Sequence, residues 1–223
     1  LWGKVVLIDT GSERSFGSFT THTWGSIERP RNIMGSKVSL DTIEKFIGFP
    51  IDGLLGMDLL SKVDWSINLD REEFIIYSER PAIDRVDVEV PVSDFLGVPT
   101  IPLKIDGKEC NAILDTGAQI SYVNPYFVEG LVPTRCMKDF SPLVGGWFKT
   151  PVFKKTLSIE GAAVEIEVGT LPSKMAFILG CFAQKVILGN EILNYFEVIF
   201  LFRGKEKKLL LKRLEGANEE ESL

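Results

Sequence analysis

Histidine is nearly absent from this sequence of 223 residues, and that scarcity removes whole classes of catalytic site. The single histidine, His22, excludes zinc sites built on several histidines and is the one candidate for a Ser-His or Cys-His pair. We expect His22 to be a surface residue. The three cysteines are far apart and form no C-x-x-C pair. We therefore expect them to be buried and to pack as small hydrophobic side chains. Carboxylates are the catalytic groups that remain abundant.

Long apolar runs are also missing. No stretch of about 20 apolar residues occurs, so no transmembrane helix is predicted. Leu1 leads directly into a strand-like run, without the basic and apolar regions of a signal peptide. We therefore expect a soluble chain, and no compartment is predicted for it. Because the first residue is not Met, the sequence leaves open whether upstream residues were removed.

The net charge of −6 is concentrated at one end of the chain. Glu215, Glu219, Glu220 and Glu221 lie in the last nine residues, and without them the net charge would be −2. Acidic tails are usually solvated, so residues 215–223 are predicted to be a disordered tail. No basic patch with interleaved aromatic residues occurs, so a nucleic-acid partner is not expected.

An internal repeat organises the chain. The run Val5–Ser12 (VVLIDTGS) returns as Asn111–Ala118 (NAILDTGA), offset by 106 residues. A second pair, Ile51–Leu60 (IDGLLGMDLL) and Lys185–Leu193 (KVILGNEIL), is offset by 133 residues. Because two blocks recur in the same order, a chance match is improbable.

The repeat divides the chain at Ser78–Pro81, a polar turn that contains proline. We define residues 1–80 as the first half, which lacks lead-in strands before its Asp, and residues 81–214 as the second half. One short helix is predicted in each half, over Met57–Val63 and Asn190–Phe196. Both segments follow a glycine and carry apolar residues three and four positions apart.

The remaining pattern predicts a β-rich chain, because apolar runs of four to six residues are bounded by Gly, Pro, Asn and Asp. Val86–Val92 alternates apolar and polar residues, as a half-buried strand does. Thr100–Ile105 and Glu109–Leu114 flank Asp106-Gly107, a sequence typical of a type I′ hairpin turn.

Each half places an Asp-Thr-Gly triplet at the end of an apolar strand, Asp9-Thr10-Gly11 and Asp115-Thr116-Gly117. A lone triplet of this kind is usually a turn that ends a strand. Two triplets in a twofold arrangement would bring their carboxyl groups to about 3 Å, where they share one proton. One carboxylate can then act as general base on a water, while the protonated partner polarises a carbonyl group. Such a site needs no metal, thiol, histidine or cofactor.

This combination resembles the aspartic proteases of the pepsin and retropepsin type. The resemblance rests on DTGS and DTGA, each followed by an apolar-apolar-Gly block, Leu54–Gly56 and Ile187–Gly189, and touches about 150 of the 223 residues. The blocks GLLGMDLL and ILGNEIL are closer to retropepsins. The resemblance implies an all-β, bilobal acid-protease fold with two β-barrel-like lobes related by a pseudo-twofold axis. It also implies a monomer that cleaves peptide or protein substrates.

The resemblance implies that Asp9 and Asp115 are the catalytic dyad. A Ser12 hydroxyl donated to Asp9 would lower its pKa, whereas Ala118 offers Asp115 no such donor, so Asp9 is predicted to ionise more readily. Mutual hydrogen bonds between Thr10 and Thr116 would cross-link the loops. The residues that turn, lock or support the two loops are Thr10, Gly11, Ser12, Gly56, Thr116, Gly117, Ala118 and Gly189.

The two halves differ in the length between the triplet and the supporting glycine. Asp to Gly spans 47 residues in the first half and 74 in the second, a difference about the size of a hairpin with its connector. In this family such a hairpin, the flap, covers the cleft. Pro142–Phe148 is predicted as its tip in the second half, with Gly145, Gly146 and Trp147 contacting substrate. The first half offers only Thr20–Gly35, so we predict a reduced or absent flap there.

Two further departures concern the first half. The second repeat has 29 residues, Val86 to Leu114, before its Asp, whereas the first has eight. Either the chain is cut upstream or other strands fill that place, such as Lys207–Leu214. Glu13-Arg14 follow Ser12 where the family commonly has small or apolar residues, and we expect them to face solvent.

The alternative function is a catalytically silent peptide-binding module of the same fold, suggested by the shortened first half. Carboxyl groups about 3 Å apart would favour the enzyme, and splayed loops would favour the binder. An actin-like ATPase also carries paired Asp-containing loops, but its larger fold with alternating helices does not fit this chain.

Overall fold

The computed structural model describes residues 3–28, 39–141, 146–181 and 184–215. These residues are mainly β-strand, as the sequence predicted for an all-β chain. In the described ranges we number the strands in chain order as β1 Val6–Ile8, β2 Phe16–Thr21, β3 Gly25–Glu28, β4 Gly53–Leu55, β5 Asp64–Asn68, β6 Glu73–Tyr77, β7 Val88–Pro91, β8 Ser93–Phe95, β9 Val98–Ile105, β10 Lys108–Leu114, β11 Ser121–Val123, β12 Arg135–Ser141, β13 Gly146–Ile159, β14 Ala162–Thr170, β15 Gln184–Leu188, β16 Phe196–Leu201 and β17 Lys208–Arg213.

The strands form three sheets. The first half contributes a four-stranded sheet of order β1-β4-β2-β3. The second half contributes an eight-stranded sheet of order β12-β13-β14-β11-β15-β10-β9-β8, and β13 also pairs with β9. That extra pairing closes six of the strands into a barrel. The four-stranded sheet of the first half has no such closing pair within the described residues, so the expected barrel is observed in the second half alone.

The third sheet joins the two halves, in the order β6-β5-β16-β17-β7. Trp65 of β5 is fully buried and stacks on Phe200 of β16, with ring centroids 4.3 Å apart. The carboxylate of Asp64 accepts hydrogen bonds from the backbone N–H groups of Phe202 and Arg203, both at 2.8 Å. Strands from both halves therefore share one core.

This sheet also bears on the short lead-in of the first half. Lys207–Leu214 was one segment that could have filled the lead-in place before the first triplet, but β17 pairs with β16 and β7 instead. Strand β1 pairs with β4 on one side and is an edge strand of the described sheet. Both edges of β17 are already paired, with β16 and with β7. Its side chains Leu209 and Leu211 are buried in the core.

The prediction of one short helix in each half gave too few helices. The described helices are α1 Leu40–Ile47, α2 Met57–Leu60 and α3 Ser173–Cys181, with 3₁₀ turns at Pro125–Phe127 and Asn190–Asn194. The predicted helix over 57–63 ends early because β5 begins at residue 64, and the predicted helix over 190–196 is a 3₁₀ turn.

Helix α1 was missed although its ends carry recognisable signals. The Ser39 side chain caps it by accepting from the Thr42 N–H, at 3.2 Å. Gly48 ends it in the left-handed conformation, with φ +74°. Its buried face packs Leu40 and Ile43 on the four-stranded sheet. Helix α3 lies in an almost wholly apolar run, where periodicity does not distinguish a helix from a buried strand.

Several local predictions are confirmed. Strands β9 and β10 form the expected hairpin, and Asp106 and Gly107 have the positive φ angles of a type I′ turn, +46° and +77°. Strand β7 lies within the predicted Val86–Val92 segment. His22 is exposed, as expected.

Other expectations are wrong or lie outside the described residues. Cys136 is exposed, because it lies on the edge strand β12, and Cys110 is half-buried. The side chain of Cys181 and residues 216–223 of the predicted acidic tail lie outside the described set. Among the helices described, none is long and apolar enough to cross a membrane.

Candidate active site

Both Asp-Thr-Gly triplets follow a strand that is paired in parallel with the strand of an apolar-apolar-Gly block. Strand β1 leads to Asp9 and pairs with β4, while β10 leads to Asp115 and pairs with β15. The backbone N–H of Asp9 donates to the Leu55 carbonyl at 3.0 Å, and that of Asp115 donates to the Leu188 carbonyl at 2.9 Å. Two segments distant in sequence thus have the same local structure.

The glycine blocks lie beneath the triplets and hold the loops through a repeated set of hydrogen bonds. In each half, a backbone N–H just after the glycine donates to the carbonyl of the residue after the triplet, and the glycine N–H donates to a serine hydroxyl. The four bonds are Met57 to Ser12 at 2.9 Å, Asn190 to Ala118 at 2.9 Å, Gly56 to Ser15 at 2.9 Å and Gly189 to Ser121 at 3.1 Å.

Ser15 and Ser121 were missed as supporting residues. Their signal was present in the sequence, since both lie six residues after the Asp of their triplet, at the repeat offset of 106. Gly56 and Gly189 are placed as expected. A Cβ at Gly56 would lie 2.8 Å from the Ser12 carbonyl oxygen, and one at Gly189 would lie 2.9 Å from that of Ala118, so neither position has room for a side chain.

The threonines of the two triplets exchange hydrogen bonds. The Thr10 N–H donates to Thr116 Oγ1 at 3.1 Å, and the Thr116 N–H donates to Thr10 Oγ1 at 3.0 Å. Each hydroxyl also donates across to the opposite strand end, Thr10 to the Leu114 carbonyl at 2.9 Å and Thr116 to the Ile8 carbonyl at 2.8 Å. These four bonds hold the triplets side by side.

The glycines of the triplets let each carboxyl group approach the opposite loop. A Cβ on Gly117 would lie 2.7 Å from the Asp9 Cγ, and a Cβ on Gly11 would overlap the Asp115 carboxyl group. Each carboxyl group therefore lies against the glycine of the opposite triplet. The structure therefore brings Asp9 and Asp115 together, as the repeat predicted.

The two carboxyl groups have different surroundings, and their pKa values are raised to different extents. Burial raises the pKa of Asp9, although donors from the Ser12 side chain and the Gly11 N–H, at 2.9 Å from Asp9 Oδ1, oppose the rise. Burial and the neighbouring negative charge of Asp9 together raise the pKa of Asp115 well above its ordinary value. The pKa of Asp115 is thus raised further than that of Asp9.

Both carboxyl groups open into a cavity of about 410 Å³. Its walls come from both halves and are mostly apolar, as in sites that bind organic ligands. The apolar lining residues are Leu7, Phe16, Ile43, Phe46, Ile47, Leu54, Phe140, Phe148, Leu171, Pro172, Met175 and Ile187.

The β12–β13 hairpin covers one side of this cavity. Ser141 pairs with Gly146 and Phe140 pairs with Trp147, while residues 142–145, with Gly145 of the predicted tip, lie outside the described residues. Phe140 and Phe148 line the cavity. Trp147, which was predicted to contact substrate, is half exposed and does not contribute to the lining.

Helix α1 of the first half forms another wall of the cavity, through Ile43, Phe46 and Ile47. Its Phe46 ring lies 5.2 Å from the Trp147 ring and 5.8 Å from the Phe140 ring, between centroids. The predicted first-half flap segment Thr20–Gly35 contributes β3 and part of β2, and its residues 29–35 lie outside the described set. Sequence reasoning did not identify α1 as a wall of the cavity.

The edge of the cavity carries one acidic residue, and the described residues were also compared with the requirements of a metal site. Glu13 is exposed, as expected, but it also contributes to the edge of the cavity, and its carboxylate lies 3.7 Å from Arg14 Nε. Within the described ranges, no group of three or more His, Cys, Asp or Glu side chains is positioned to hold a metal ion.

The chain was compared with protein families, curated proteins and solved structures. No protein-family model and no curated protein match the chain. It is similar to the solution structure of the simian foamy virus (mac) protease, with 24% identity and a TM-score of 0.31, over 40% of this chain and 86% of that one. It is also similar to a foamy viral protease-reverse transcriptase in complex with an RNA/DNA hybrid, with 22% identity and a TM-score of 0.34, over 52% of this chain and 12% of that one. These values assign the chain neither a family nor an activity.

Proposed function

We propose that the chain is an aspartic endopeptidase in which Asp9 and Asp115 activate a water molecule. The observation that carries the proposal is the pair of carboxyl groups, each of which lies against the opposite triplet and lines a cavity of about 410 Å³. Residues 1–80 and 81–214 would be two retropepsin-like lobes related by a pseudo-twofold axis. One chain would then build the dyad without a second copy, so a monomer is expected.

The unequal pKa shifts suggest a role for each carboxyl group. Asp9, the more readily ionised, would take a proton from the water as its oxygen attacks the carbonyl carbon of the peptide. Asp115, in its protonated form, would donate a proton to the carbonyl oxygen, which gives a gem-diol. As the C–N bond breaks, Asp9 would give its proton to the departing amine nitrogen, and Asp115 would take one proton back from a diol hydroxyl to leave the carboxylic acid product. The hydrogen bonds between Thr10 and Thr116 would keep the two groups in register during these transfers.

The experiment is digestion of a peptide library between pH 3 and 8, read by mass spectrometry, with Asp9→Asn and Asp115→Asn beside the wild type. Because the dyad acts as a unit, each variant should lose at least about 100-fold in turnover, and the double variant should be little worse than either. Asp70→Asn, in an exposed turn, is the matched control and should cleave normally. Cleavage that persists in Asp9→Asn contradicts the proposal.

The pH profile provides a second check. Cleavage should fall at low pH as Asp9 becomes protonated, and at high pH as the shared proton is lost. Both pKa values are raised by burial, so both limbs should lie above those of exposed carboxyl groups. A rate that does not vary with pH over this range would contradict the assignment of a carboxyl pair.

A silent peptide-binding module is the second candidate. It is favoured by the first half, in which β1 is an edge strand and the described sheet does not close. The hydrogen bonds between Thr10 and Thr116 argue against it, because they hold the two loops together and splayed loops were expected for a binder. Peptides that bind without being cleaved at any pH would establish this alternative.

A further inference from the structure

A third carboxyl group lies in the wall of the same cavity, and the proposed chemistry does not use it. Asp139, on β12, lines the cavity although its exposed fraction is 4%. Its side chain reaches Tyr122 of β11, which lines the cavity too and is 5% exposed. A buried carboxyl group is costly unless hydrogen-bond donors or a cation satisfy its oxygens. The donors that Asp139 already has therefore indicate which kind of ligand it could still accept.

The partners of Asp139 are neutral donors. The Tyr122 hydroxyl donates to Oδ2, and the Phe140 N–H donates to Oδ1 at 2.7 Å. Burial and this hydrogen bond raise the pKa of the Tyr122 hydroxyl, so it remains a donor. A carboxylate offers about four acceptor positions, so each oxygen keeps a free one.

No cation of the described part of the chain balances this carboxylate. No lysine, arginine or histidine there forms an ion pair with Asp139, and the neighbouring Lys138 places its Nζ over the Trp147 ring, 4.2 Å from its centroid. A buried carboxylate held only by neutral donors favours a cation that enters its pocket, because charge-assisted hydrogen bonds are the stronger ones.

The surroundings fit a long cationic side chain. Apolar walls beside Asp139 come from Phe148, Leu171 and Met175, and they can cover the aliphatic part of an arginine or lysine. Among the described residues that line the cavity, none is lysine, arginine or histidine, so none of them repels a positive charge. Exclusion of water by these walls would strengthen the ion pair.

We propose that Asp139, held in place by Tyr122, is a specificity residue that selects a positively charged substrate side chain, arginine foremost, near the scissile bond. Arginine is favoured over lysine because its planar guanidinium can donate to two oxygens at once. This inference rests on the proposed endopeptidase function and narrows its substrates to peptides that carry a basic residue within an apolar segment.

The test uses a set of short apolar peptides in which each position in turn carries arginine or citrulline. Citrulline has nearly the shape of arginine without its charge, so the ratio of kcat/KM within a pair isolates the charge. The proteins are the wild type, Asp139→Asn, Tyr122→Phe, which keeps the carboxylate, and Glu13→Gln, which removes a rim acid whose side chain is 64% exposed.

The wild type should prefer arginine at one position by about 10- to 100-fold. Asp139→Asn should bring that ratio close to one, Tyr122→Phe should lower it in part because Asp139 Oδ2 loses its donor, and Glu13→Gln should keep it. A wild-type ratio near one at every position overturns the inference, and so does a ratio retained in Asp139→Asn. If Asp139→Asn fails to fold, the wild-type ratios still decide.

Binding of the same peptides to Asp9→Asn, measured by fluorescence anisotropy, separates the two proposals. Equal cleavage of arginine and citrulline peptides by the wild type keeps the endopeptidase and overturns the role of Asp139. Tighter binding of the arginine peptides with no cleavage by the wild type keeps the role of Asp139 in binding and overturns the endopeptidase.

Discussion

The hydrogen bonds between Thr10 and Thr116 can be tested by removing one hydroxyl without changing the shape of the side chain. In Thr10→Val, the Thr116 N–H loses its acceptor at 3.0 Å and the Leu114 carbonyl loses its donor at 2.9 Å. Thr10 is fully buried, so water cannot easily replace the lost partner.

The size of the effect follows from these two groups. A buried donor or acceptor left without a partner costs about 1–3 kcal/mol, so the two groups in Thr10→Val should lower the free energy of unfolding by about 2–6 kcal/mol. That is a large fraction of the total stability of a typical protein, about 5–15 kcal/mol. The control Thr10→Ser keeps the hydroxyl and loses a methyl group, which should cost about 1 kcal/mol.

The assay is guanidinium unfolding followed by the fluorescence of the four tryptophans, with peptide cleavage measured in parallel. Thr116→Val and the double variant complete a cycle. The double variant should lose less than the sum of the singles, because the first substitution already releases the loops from each other. Thr10→Val with the stability of Thr10→Ser would refute the reasoning.

Two further substitutions address the carboxyl pair. The pKa of Asp115 is raised in the folded protein, so the stability that its protonated form contributes is fully present below the unfolded value near 3.8 and is lost as pH rises through the folded pKa. Asp115→Asn cannot ionise, so its melting temperature relative to wild type should increase from pH 4 to pH 7; a difference independent of pH would contradict this. Gly11→Ala places a Cβ against the Asp115 carboxyl group and should abolish cleavage, whereas Gly180→Ala, an exposed helical position with open space around its Cβ, should cleave normally. Full activity in Gly11→Ala would show that the two loops are not in close contact.

The features that were predictable are those written in short stretches of sequence. The paired Asp-Thr-Gly triplets stand out because each is a strand, a turn and a glycine within a few residues, and the repeat doubles the signal. The turn at Asp106-Gly107 is predictable because few residues tolerate two successive positive φ angles. Helix α1 was predictable too, because Ser39 and Gly48 at its ends are local capping signals.

Other features depend on contacts between distant residues. No local pattern places Phe46 against Trp147, one hundred and one positions later in the chain, or assigns β17 to the sheet shared by both halves. Asp139 looks like any polar residue of a strand until Tyr122 and the cavity walls surround it.

The sequence by itself determined that the candidate catalytic groups are two carboxylates at strand ends, because a strand, a turn and a glycine are encoded by residues adjacent in the chain. Ser12 and Ala118 already indicated from the sequence which carboxylate ionises more readily. Only the tertiary structure decided that each carboxyl group lies against the opposite loop, where burial and the negative charge of Asp9 raise the pKa of Asp115. Burial and electrostatic coupling depend on which atoms surround a group in space, and in a β-rich fold most of those atoms belong to residues far away in the chain.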